Sequence, residues 1–193
     1  LSQLKTPGDF AALARRDYDL ALRLFEFRDF TEAPFMQDLE KGMGIRAVYD
    51  GLRGQGNRFG QLEQFFIALG IKKPVKLSVE PKVREYYASD ATILDVIEIK
   101  KEEWGYLPIS IKVEGGFIQS LKKTITDQDF EGGICKFPYE INPALLHGGK
   151  NYGSITVETM YETIKVAVEA HGAPVKQGGQ RNRYVRYLSL RLE

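Results

Sequence analysis

The run Ile134-Cys135-Lys136-Phe137-Pro138-Tyr139-Glu140-Ile141 decides how this chain is read. Cys135 alternates with its neighbours inside this run, and a period of two places one set of side chains on one face of an extended strand. Similar runs lie on both sides: Val75–Val79, Ile93–Lys101, Leu107–Glu114, Phe117–Leu121, Tyr152–Thr159 and Thr163–Ala170. β-Branched and aromatic residues concentrate in them, as sheet requires. The joints carry turn chemistry at Trp104-Gly105, Gly115-Gly116, Gly132-Gly133, Asn142-Pro143 and Gly148-Gly149. No helical pattern of useful length separates the runs, so parallel crossovers are not expected. Short strands punctuated by turns at this spacing predict an antiparallel, immunoglobulin-like β-sandwich over residues 74–172.

Upstream of Val75 the period is that of a helix. Thr6, Pro7 and Asp9 read as N-cap, first helical position and an abbreviated capping box for a helix over residues 6–28. Its stripe is Phe10, Leu13, Ala14, Tyr18, Ala21, Leu22 and Phe25. Ile45, Val48, Tyr49 and Leu52 repeat the spacing after Pro34, as do Phe59, Leu62, Phe65, Phe66 and Leu69 before a left-handed cap at Gly70. Residues 1–73 are therefore expected to form a helical subdomain. Residues 173–193 read as a Pro/Gly linker and the start of a further helix, with Tyr184, Val185, Leu188 and Leu192 on one face. A strand is the competing reading there. The fold class expected is α+β.

Composition closes off several functions. Over 193 residues the apolar share is 43% and the charged share 27%, the balance of a folded globular chain. With 27 basic and 26 acidic side chains there is no whole-chain field to attract nucleic acid or an anionic membrane surface. No apolar run approaches the ~20 residues of a membrane-spanning helix. The single cysteine, Cys135, has no intramolecular disulfide partner, which fits a reducing, cytoplasmic setting.

The candidate chemistry is sparse. His147 and His171 are the only imidazoles, and neither sits in a catalytic or zinc-binding pattern. His147-Gly148-Gly149-Lys150 pairs glycine amides with a cation, but it lacks the Gly-Lys-Ser/Thr ending and following helix of a phosphate loop. It reads first as a tight connection. Arg53 and Arg58 flank glycines ahead of a helix, an arrangement a helix–helix loop needs for its own reasons. Asp127-Gln128-Asp129 is too short of ligands for a calcium loop and reads as a turn held by Thr126 and Asp127. The basic, tyrosine-bearing stretch from Arg181 to Arg191 reads as a solvated helix face. Trp104, beside Gly105 and Tyr106, is either a sandwich-core anchor or a ring exposed for a ligand, and the core is preferred; Tyr106 is a candidate ligand-contacting ring. No catalytic residue, metal or cofactor is expected.

The order Trp104-Gly105-Tyr106, Gly116-Phe117-Ile118, Thr126-Asp127-Gln128-Asp129-Phe130, Leu146 to Gly153 and Tyr161-Glu162-Thr163 resembles the sandwich modules of a large bacterial family. Its members are long proteins of uncharacterised function, described mainly from Gram-positive anaerobes. Ala14–Phe25, Tyr49-Asp50-Gly51-Leu52 and Phe65–Val75 look like the segment preceding such a sandwich, and Tyr187–Leu192 like the opening of the tandem helical repeats that follow. The resemblance implies an internal piece of a multidomain protein with no known catalytic residue. The leading expectation is a non-enzymatic structural or protein-interaction module, partnered by neighbouring domains of the same protein or by another protein. Two alternatives stand beside it. One is a carbohydrate-binding module stacking sugars on Tyr86, Tyr87, Trp104 and Tyr106; the other is a small-molecule or hydrolytic site between the subdomains, using His147 and Lys150.

Overall fold

The computed structural model describes residues 1–174. The described residues divide into two compact units, a helical one of Leu1–Lys76 with Glu102–Tyr106, and a β-unit of Leu77–Lys101 with residues 107–174. The helical unit thus runs slightly past residue 73 and takes in a segment the sequence reading gave to the sandwich. The C-terminal helix expected over 181–193 lies outside the described residues, as does most of the linker before it.

In the helical unit, α1 (Pro7–Arg16) opens as anticipated: the Thr6 hydroxyl accepts the Asp9 N–H at 3.1 Å, and Asp9 Oδ2 accepts the Thr6 N–H at 2.9 Å. The helix expected to run on to residue 28 instead breaks at Asp17. That residue has φ −150° and ψ 88°, and its Oδ1 accepts the Leu20 N–H, capping α2 (Tyr18–Glu26). A short polar side chain that bonds the backbone ahead of it competes with helix continuation. The apolar stripe survives the break, because Phe10, Leu13 and Ala14 on α1 and Ala21, Leu22 and Phe25 on α2 enter one core.

Two 3₁₀ turns, Arg28–Glu32 and Pro34–Met36, lead to α3 (Gly42–Leu52) and α4 (Arg58–Ala68). Beyond α4, Gly70 has φ +73°, its N–H donates to Ile67 O and the Ile71 N–H donates to Phe66 O, the paired bonds of a Schellman cap. The core is aromatic. Phe10, Phe30, Phe65 and Phe66 are fully buried, and Phe25 meets Tyr49 edge-on with centroids 5.1 Å apart. Each such ring adds about 1.5–3 kcal/mol from burial.

Among the described residues the β-unit has nine strands: β1 (Leu77–Glu80), β2 (Val83–Tyr87), β3 (Ile93–Lys101), β4 (Ile109–Glu114), β5 (Ile118–Gln119), β6 (Thr124–Ile125), β7 (Ile134–Ile141), β8 (Gly149–Glu158) and β9 (Thr163–Gly172). They form a four-stranded sheet, β1-β3-β7-β5, and a five-stranded sheet, β2-β9-β8-β4-β6. β3 and β7 occupy the spans read from sequence, and Cys135, Phe137, Tyr139 and Ile141 are buried as their alternation required. The inner faces of the two sheets meet where Tyr86 of β2 and Tyr139 of β7 place their rings edge-on, 6.5 Å apart, and bond through their hydroxyls.

β2 and β6 were not expected. β2 buries only Tyr86 well, so an edge strand of this kind carries little alternation. The expectation of a wholly antiparallel arrangement is corrected as well, since β2 pairs with β9 in parallel, Glu85 beside Glu169 and Tyr87 beside His171. The rule that parallel neighbours need a helical crossover covers strands joined directly. Here the two partners are separated by all the intervening strands, which make the return themselves.

Candidate functional site

The pair Trp104 and Tyr106 does not lie in the core of the sandwich: both belong to the helical unit. Trp104 packs on Phe66 of α4 with centroids 5.4 Å apart, and Tyr106 stacks on Phe59 at 4.0 Å and 16°. Between them Gly105 adopts φ +129°, and a Cβ there would lie 2.7 Å from both Glu63 Oε1 and Lys72 Nζ. The reason is a buried ion pair. Glu63 of α4 holds Lys72 Nζ at 2.5 Å on Oε1, while its Oε2 accepts the Tyr18 hydroxyl at 2.5 Å and the Tyr106 N–H at 3.1 Å. Lys72 Nζ also stands 5.3 Å from the centre of the Trp104 ring, within reach of its negative face. Every oxygen of Glu63 is engaged, so this network is a structural tie within the helical unit.

His147 and Lys150 flank a different device. Asn151, buried in β8, accepts the His147 N–H on Oδ1 at 2.9 Å and donates through Nδ2 to the carbonyls of His147, Gly149 and Ala170. One amide side chain therefore closes the turn into β8. The cluster's glycines serve this turn and the start of β8, and the connection reading of the sequence describes it better than an anion cradle.

The remaining candidates disperse in the same way. Burial pushes the Cys135 thiol above its ordinary pKa, which suppresses the nucleophilic thiolate. Tyr86 is no sugar platform: burial, with bonds to Tyr139 and Asp95, drives its hydroxyl far above the usual phenol range. Arg58 pairs with Glu26 at 2.8 Å, and Arg53 lies over the Tyr49 ring. In the Thr126–Asp129 turn the bond to the backbone comes from Asp129, whose Oδ2 accepts the Thr126 N–H, in place of the Asp127 expected.

Two features on the outer faces of the sheets were missed by sequence reasoning. On the five-stranded sheet, His171 Nε2 lies 2.7 Å from Glu169 Oε2 and 2.9 Å from Glu85 Oε2, with the Tyr87 ring stacked on the imidazole at 4.7 Å and 19°. The His171 contact chiefly holds the Glu85 carboxyl below its usual range. Glu169 and His171 are two apart on one strand, a spacing that puts both on one face, but Glu85 reaches them only through the β2–β9 register. On the four-stranded sheet, Leu94 is 74% exposed, and Val96 is also exposed directly opposite Pro138.

Among the described residues no helix is long and apolar enough to cross a membrane. No curated protein matches the chain. Among solved structures it is similar to WR4, a C. elegans MSP family member, with 13% identity over 50% of this chain and 97% of that one, at a TM-score of 0.34. It is also similar to the ASH/PapD-like domain 7 of human CEP192, with 10% identity over 54% of this chain and 94% of that one, at a TM-score of 0.38. Likeness at that level carries no functional inference. The family model described as DUF5717, N-terminal, a family of unknown function, matches residues 1–193, and the chain belongs to that family.

Proposed function

We propose that this chain is a non-enzymatic protein-interaction module, an immunoglobulin-like sandwich with a helical companion, within a larger multidomain bacterial protein. The observation that supports this reading is the outer face of the four-stranded sheet. The solvent side of an antiparallel sheet is ordinarily polar. Here Leu94, Val96 and Pro138 are exposed on adjacent central strands, with Glu98, Lys100 and Lys136 beyond them. An exposed apolar centre with a charged rim is the composition of a protein-docking surface.

The test is retention of proteins from source-cell lysate on immobilised chain, compared with a Leu94→Lys/Val96→Lys variant that keeps its circular dichroism. A defined partner retained by the parent and lost by the variant supports the proposal. Equal retention by both, or turnover of a defined substrate by the chain, overturns it.

A further inference from the structure

We propose that Glu85, Glu169 and His171 form a binding site for one divalent transition-metal ion of the zinc class on the outer face of the five-stranded sheet. One ligand atom from each of the three lies within 4.8 Å of the others. An imidazole nitrogen with two carboxylate oxygens is a donor set that suits zinc and its neighbours, and zinc catalytic sites use three protein ligands with water in the fourth position.

Two features of the arrangement ask for a cation. Glu85 and Glu169 are direct register neighbours in the parallel β2–β9 pair, and like charges placed side by side across a sheet are destabilising. A single Nε2 faces both carboxylates, at 2.7 and 2.9 Å, yet it carries at most one proton to share between them. An ion seated among the three replaces that shared proton, which leaves to solvent or moves to Nδ1, and it neutralises both carboxylates at once. Bonds of about 2.0–2.2 Å to each ligand need only a small widening of the present separations.

The scaffold is suited to the task. All three ligands come from paired strands, and the stacked Tyr87 ring restrains the imidazole plane. Lys150 lies opposite His171 and Tyr152 opposite Glu169 on β8, so one competing cation borders the site and is itself exposed.

The experiment is calorimetric titration of zinc chloride into untagged, chelator-treated chain, with melting followed in parallel and cobalt(II) as an absorbing substitute. One equivalent should bind, raise the melting temperature and, for cobalt, give a visible spectrum of mixed nitrogen and oxygen ligation. Loss of an outer-shell partner alone weakens metal sites about 10–100-fold, so His171→Gln and Glu169→Gln should each weaken binding by about tenfold or more. His147→Gln should bind as the parent does. If His171→Gln does not fold, Glu169→Gln carries the comparison. Absence of saturable binding overturns the site and leaves an ion pair only; undiminished binding in the folded ligand variants, or its loss in His147→Gln, overturns it equally.

Discussion

Lys72 Nζ stands 2.5 Å from Glu63 Oε1, and both side chains are closed off from solvent. A buried ion pair contributes little net stability relative to an apolar pair, but removal of one member strands the other charge. Lys72→Met should therefore cost about 3–5 kcal/mol in urea unfolding. The double variant Lys72→Met/Glu63→Gln should cost less than the two single changes added, because the stranded charge is gone. Additive costs would show that the pair is not coupled.

Gly105 is held to its identity twice, by φ +129° and by the carboxylate and ammonium 2.7 Å from where a Cβ would sit. Gly105→Ala should cost at least about 1–3 kcal/mol, the usual magnitude of a backbone held in a disfavoured region. Gly116→Ala meets nothing within 4 Å at a backbone angle open to any residue, and it serves as the control. Matched thermal melts of the two variants separate the effects, and equal melting temperatures would refute the crowding argument.

Asn151→Ala removes the clamp of the His147–Asn151 turn and leaves the His147 N–H without its side-chain acceptor. Stability should fall by about 1–3 kcal/mol. Amide exchange at His147 should accelerate, while that of β3 and β7 should change only with the global stability. Unchanged protection at His147 would show that the side chain is not what closes the turn.

Asp129 supplies a signed pH dependence. The Lys122 ammonium, followed by the Thr126 N–H, holds its carboxyl below the usual aspartate range. A carboxyl whose folded pKa is depressed contributes stability that is fully present above its unfolded pKa and is lost as pH falls through the folded one. Acid titration of stability should therefore show an Asp129-dependent loss that sets in as pH falls through the ordinary aspartate range and continues below it. Asp129→Asn should flatten that segment, and an unchanged acid limb would refute the assignment.

What the sequence determined by itself is the local part of the structure. The change of period near Val75 separates helices from strands because side-chain direction repeats every 3.6 residues in one and every two in the other. β3 and β7 were legible to the residue, since each has two neighbours and one buried face. The Thr6 cap and the Gly70 cap were legible for the same reason, being bonds within a few residues of chain. The break at Asp17 was not, because the apolar stripe passes through it unchanged. β2 and β6 were hidden by their edge positions, where little is buried and the pattern fades. Tertiary structure alone decided the parallel β2–β9 pairing, the membership of Trp104 and Tyr106 in the helical unit, and the meeting of Glu85 with His171 across 86 positions of sequence. Each of these depends on which distant segments share a core or a register, and that is settled by the burial of whole faces together.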